Sequence, residues 1–317
     1  MSFRPQTSFL VAAIAATTLV GCAAPAPVAD DGVISVVAST NVYGDLAATI
    51  GGDLIEVTSI IDEPSQDPHS FEADARVQLA LSKADIIVYN GGGYDSFVEQ
   101  LLANIDVPGQ TVLSAVELSP LDLDLAHGDQ DETDDHEGHD HGAVNEHVWY
   151  DFATVEAVAD AIAEQLTGLD PANTTTYQAN ADSLAAELDA LRQRTADIRA
   201  QHDGTGVAIT EPVPLYLLEA AGLHNETPDA FSEAIEEGSE VSAATLNETL
   251  SLFAKGTASL LVYNDQTVSP ETEALVAAAE KAGAPVVAVT ELLPQGTDFV
   301  GWMNATLDDL ESALEQL

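Results

Sequence analysis

Residues 171–202 carry the pattern that most limits how this chain can fold. Tyr177, Ala181, Leu184, Leu188, Leu191, Thr195 and Ile198 recur at alternating steps of four and three. On a helix of 3.6 residues per turn, that spacing lays apolar or small side chains along one unbroken face. Asp170 and Pro171 supply a capping residue and a first-turn proline, and Gly204 follows the end of the pattern. The predicted helix is roughly 45 Å long, enough to cross two lobes. A coiled-coil dimer would show the same pattern. An internal strut fits better, because strands and helices alternate on both sides of it.

On the first side, short apolar runs at 33–38, 54–61, 85–89 and 111–116 read as strands. Helical stretches separate them at about 42–50, 73–83 and 95–105, with another at 154–166 after the last. On the second side the strands are 206–210, 260–263 and 286–289. Helices follow at about 212–221, 271–282 and 302–317. The expected fold class is α/β, with two lobes, each a mostly parallel sheet flanked by helices, joined by one long helix. The domain boundaries are a leader at 1–22, a tether at 23–32, an N-terminal lobe at 33–168 with an acidic loop at 119–145, a linking helix at 170–203 and a C-terminal lobe at 204–317.

The loop at 119–145 breaks the alternation. Within it, His127, His136, His139 and His141 stand in a run, 127–141, that holds seven Asp and Glu residues and no lysine or arginine. Such a run has too little apolar surface to bury itself. An acidic run alone reads as a solvated tract. Four histidines within it point to divalent metal, which imidazole and carboxylate both bind. Asn145-Glu146-His147-Val148-Trp149 then returns to folded structure. His147 alone reads as a histidine satisfied within the fold, so it needs partners. His69 lies in Asp67-Pro68-His69-Ser70-Phe71-Glu72, a loop after a strand, which is where open α/β sheets bind ligands. Glu211 follows the 206–210 strand, although it also suits a helix start. Asp265 follows the 260–263 strand, although it also suits a turn. If the lobes face each other, these four can converge in the cleft as metal ligands.

Composition narrows the partners. The net charge is −46, from 54 acidic and 8 basic residues. That opposes nucleic-acid binding and attracts cations. Near the start, Arg4 precedes an apolar run from residue 9 to residue 20, too short to remain a spanning helix. Leu19-Val20-Gly21-Cys22 follows and resembles a bacterial lipobox. It implies lipid attachment at Cys22, the chain's only cysteine, and an extracytoplasmic protein anchored to the membrane.

Taken together, the Asp-Pro-His motif at His69, the Asn-Glu-His-Val-Trp motif at His147, the preceding histidine-acidic insert, the long middle helix and the lipobox resemble one family. It is that of the metal-binding receptors of bacterial zinc and manganese ABC importers. The resemblance covers nearly all of the chain after the leader. It implies two lobes bridged by a rigid helix with an ion between them, small lobe motion, an ABC permease as partner and a monomer. It also implies His69, His147 and Glu211 as ligands, with a later carboxylate, matched to Asp265, as the fourth. Zinc is the favoured ion, since zinc outcompetes manganese at most such sites, and manganese is the alternative. The expectation is a binding protein, not an enzyme. A zinc hydrolase would need an open coordination position and a general base, and the helix-borne His-Glu-x-x-His pattern is absent. A surface adhesin or metal buffer would use the same ligands.

Overall fold

The computed structural model describes residues 1, 32–105, 109–123 and 145–317. The expected lipidation site Cys22 and the histidines His127, His136, His139 and His141 lie outside the described residues. Residues 33–317 form one compact unit.

The unit begins with β1 (Ile34–Thr40), α1 (Asn41–Gly51), β2 (Ile55–Ile61), α2 (Ala75–Leu81), β3 (Ile86–Tyr89), α3 (Ser96–Leu102), β4 (Thr111–Ser114) and a single turn α4 (Ala115–Leu118). After α5 (Phe152–Leu169) comes the long α6 (Thr174–His202). The second half runs β5 (Gly206–Ile209), α7 (Leu215–Ala220), β6 (His224–Asn225), α8 (Asp229–Glu236), α9 (Ala243–Lys255), β7 (Leu260–Asn264), α10 (Pro270–Ala282), β8 (Val286–Val289) and α11 (Phe299–Leu314).

These strands make two four-stranded sheets of the same design, β2-β1-β3-β4 and β6-β5-β7-β8. Every pairing is parallel. In each sheet the chain reverses its direction of travel across the sheet beside the central strand, β1 or β5. A crevice opens there at the carboxyl ends of the strands.

The expected α/β class and long helix are therefore present. All seven residues of the apolar stripe on α6 are buried. All of them but Thr195 join one core that also takes in side chains of β1, α1, α5, β5, β8 and α11. The helix packs on α1 and α5 of the first lobe and on α7 and α11 of the second. Three of the eight basic residues sit on it. Arg192 donates to the Phe152 carbonyl and pairs with Glu156 on α5. Arg194 reaches Asn304, Asp308 and Glu311 on α11. Arg199 donates to the carbonyls of Glu219 and Ala220 at the end of α7. In a chain so short of cations, the linking helix is fastened to helices of both lobes by guanidinium groups.

Several boundaries differ from the sequence expectation. Pro171 opens a 3₁₀ turn, Pro171–Asn173, and the α-helix proper begins at Thr174. The strand expected over 111–116 ends at Ser114, whose hydroxyl caps α4 by accepting from Glu117 N. The helix expected from residue 302 starts earlier, at Phe299, because Asp298 caps it by accepting from Gly301 N. Among the described residues, no helix is long and apolar enough to cross a membrane.

Candidate metal centre

Each site segment leaves the carboxyl end of a strand or lies beside one. After β2, the Asp67 carboxylate folds its loop by accepting from His69 N at 2.9 Å and from the Ser70 hydroxyl at 2.7 Å. This local turn, typical of Asx residues, aims His69 inward. After β3, Gly91, Gly92 and Gly93 all adopt positive φ, a turn that side chains with a Cβ resist. The turn delivers Tyr94, whose ring stands edge-on to His69 at 5.0 Å. Asn90 beside it donates to the Glu146 carbonyl and so ties the His147 segment to β3.

His147 is fully buried. Its Nδ1 lies 2.7 Å from the Asn145 side-chain oxygen, which also accepts from His147 N. Since that oxygen can only accept, Nδ1 carries the proton and Nε2 presents a bare lone pair to the cleft. Asn145 in turn donates to the Pro212 carbonyl, and Tyr216 donates to the Asn145 carbonyl. The histidine of the first lobe is thus oriented by the second.

On the second lobe, Glu211 follows β5 and is buried. The Asn264 amide, at the end of β7, donates to Glu211 at 2.5 Å and to Glu291 at 2.6 Å. One side-chain NH₂ therefore holds two carboxylates facing the same space. Gln266 accepts from the backbone N–H groups of Glu291 and Leu292 and donates to the Pro64 carbonyl in the opposite lobe. The Tyr94 hydroxyl also bonds to Glu291.

One donor atom from each of His69, His147 and Glu291 lies within 4.8 Å of the other two, and the same holds for His69, Glu146 and Glu236. Of the four residues expected from sequence, His69 and His147 come together, with ring centroids 6.4 Å apart. Glu211 joins Glu291 through Asn264. Asp265 belongs to neither group. It is exposed, because the alternation of side chains along the chain turns Asn264 and Gln266 toward the cleft and Asp265 to solvent.

Sequence reading missed Glu291, although a signal was present. Thr210-Glu211 directly follows β5, and Thr290-Glu291 directly follows β8. The same dipeptide stands at the same end of two strands in one sheet. Glu236, Glu146 and Asn264 were missed as well.

The electrostatics match a cation site. Burial lowers the pKa of His69, and it lowers that of His147 further, with help from His69. Both rings are neutral donors. Burial pushes Glu211 up to about 7, Glu291 to about 8 and Glu236 to about 9, the last two raised further by neighbouring carboxylates. These acids lack a positive partner, and a divalent ion would supply one.

The sequence matches the family of the periplasmic component A of zinc-uptake complexes (ZnuA) over residues 36–313. The chain belongs to this family. It is 28% identical over 171 residues to the iron-binding protein YfeA of Yersinia pestis, covering 52% of this chain and 50% of that one. It is 24% identical over a 327-residue alignment to the zinc-binding lipoprotein AdcA of Streptococcus pneumoniae, covering 98% of this chain and 61% of AdcA. The chain thus spans about half to three-fifths of the length of these relatives. Among solved structures, the binding protein FpvC of Pseudomonas aeruginosa in complex with Mn2+ superposes with a TM-score of 0.69 at 22% identity, covering 89% of this chain and 98% of that one. At that identity the likeness concerns the fold.

Proposed function

We propose that this chain is an extracytoplasmic receptor that binds one divalent transition-metal ion between its lobes and hands it to an ABC importer. His69 and His147 from the first lobe and Glu211 and Glu291 from the second are its ligands. The observation that carries this reading is a pair of buried ring nitrogens, Nε2 of His69 and of His147, with no hydrogen-bond partner. Both turn toward carboxylates that burial discourages from ionising alone. Buried polar atoms are rarely left unpaired, and a cation answers both sets of groups at once.

The relatives matched here are named for iron and zinc, and the superposed structure holds manganese. Zinc remains the favoured cargo, because affinity at mixed nitrogen and oxygen sites rises toward the end of the divalent series. Two carboxylates beside two imidazoles also suit manganese. The protein is an uptake component, not an enzyme. It is held at the membrane through Cys22, acts as a monomer beside its permease, and uses His127, His136, His139 and His141 to gather ions weakly.

Calorimetry on metal-free protein tests the assignment. Zinc should bind tightly with one-to-one stoichiometry. His69→Ala and His147→Ala should each abolish that event. Deleting residues 129–141 should spare it and remove only weaker sites. Tight binding that survives His69→Ala, or that disappears with the deletion, would overturn the reading.

A further inference from the structure

The four proposed ligands leave one buried oxygen at the site unexplained. Oε1 of Glu236 has no hydrogen-bond partner. It lies 3.3 Å from His147 Nε2 and 4.0 Å from His69 Nε2, the two other orphaned atoms. His147 Nε2 is an acceptor, because Asn145 holds the ring proton on Nδ1. An ionised carboxylate oxygen is an acceptor too. Two acceptors this close repel each other unless a proton or a metal ion sits between them, and no hydrogen bond joins this pair. Two ligand atoms each about 2.1 Å from a shared ion stand about 3.0–3.4 Å apart at ordinary bond angles, which matches the spacing to His147.

The placement of Glu236 on its helix points the same way. It is the last residue of α8, next to Glu237 and one turn after Glu233. Carboxylates in a final turn meet the negative end of the helix dipole, an arrangement that costs stability. No lysine, arginine or histidine on α8 offsets it. The end of α8 also forms one wall of a cleft of about 760 Å³ that opens on the site, through Ile235, Glu236 and Gly238. Glu236 therefore stands between the imidazoles and the way in.

We propose that Glu236 is a further ligand of the same ion, a third carboxylate brought by α8, making the centre two imidazoles and three carboxylates. This inference rests on the metal-receptor reading above. Its consequence is selectivity. Zinc is content with four ligands, whereas manganese and ferrous iron favour five or six with more oxygen among them. Glu236 shifts the site toward those ions without removing its capacity for zinc.

The test compares wild type, Glu236→Gln and Glu236→Asp, with His69→Ala as the separate control for the parent reading. The probes are cobalt, manganese and zinc ions added alone to metal-free protein. Glu236→Gln keeps the shape and neutralises the charge, and circular dichroism checks its fold. Glu236→Asp retracts the oxygen and should give an intermediate result. In Glu236→Gln, one-to-one stoichiometry should persist. Manganese affinity should fall by about tenfold or more, and zinc affinity by less, moving competition toward zinc. The visible bands of bound cobalt should intensify as the coordination number drops. If cobalt spectrum and metal competition match wild type while His69→Ala abolishes binding, Glu236 closes the cleft by a hydrogen bond and is no ligand. If His69→Ala still binds tightly, the parent reading falls and this inference with it.

Discussion

Asn264 shows how much of the proposed site depends on a side chain that is not itself a proposed ligand. Its amide nitrogen holds Glu211 and Glu291 in one orientation, and its backbone N–H is fixed by the Thr210 hydroxyl at 2.9 Å. Removing it frees two carboxylates whose charges then repel. Asn264→Ala should lower metal affinity by about 10–100-fold with stoichiometry unchanged, as measured by competition with a chromogenic chelator. The acids also set a pH dependence. Glu211, Glu291 and Glu236 hold protons up to about 7, 8 and 9 in the fold, against an ordinary value of 4.5. Above pH 4.5 the folded state therefore binds more protons than the unfolded chain, and the stability these groups contribute is lost as pH rises through 7 to 9. His69 and His147 are shifted downward and act with the opposite sign, but only below 6.5. Between pH 6.5 and 9 the carboxylates act without that opposition. The melting temperature of metal-free protein should fall over that interval. Zinc-loaded protein should show little decline, because the ion has replaced the protons.

At the scale of elements, α6 was the most legible part of the chain, and the seven residues that define its stripe are the ones buried. Leu188 is fully buried and Glu187 beside it is exposed. Leu188→Ala should cost about 2–5 kcal/mol in urea unfolding, from lost burial and the cavity left behind. Glu187→Ala should stay within about 0.5 kcal/mol. Strands of buried, branched residues such as β3 and β7 were equally readable, because a run bounded by turns has few alternatives. The stretch holding α8 and α9 was not. Its acidic residues dilute the apolar periodicity, and Phe231, Ile235, Leu252 and Phe253 reach a core only through tertiary packing. That gap concealed Glu236. The site followed the same division. His69 and His147 stand in recognisable local motifs, while Asp265, expected beside them, turns to solvent and Glu291 faces the cleft, an orientation set by partners such as Gln266.

For the whole molecule, the net charge of −46 is the dominant fact. With eight cations in all, most carboxylates have no counter-charge from the protein, and three of those cations are committed to α6. Mutual repulsion between surface acids works against the compact state. Salt shortens its reach, from a Debye length of about 10 Å at 0.1 M to about 3 Å at 1 M. The metal-free protein should melt at progressively higher temperature as sodium chloride rises over that range, in calorimetric scans at constant pH. An unchanged melting point would mean that the acidic surface is spaced widely enough to be neutral in effect.

Every proposed ligand but His147 sits on a connection leaving the carboxyl edge of a strand or on a short helix beside it, and none lies within a strand. On the proposed reading, one altered loop side chain retunes which ion is preferred while the paired sheets go on folding as before, and the chain's matched relatives are named for different ions, iron and zinc.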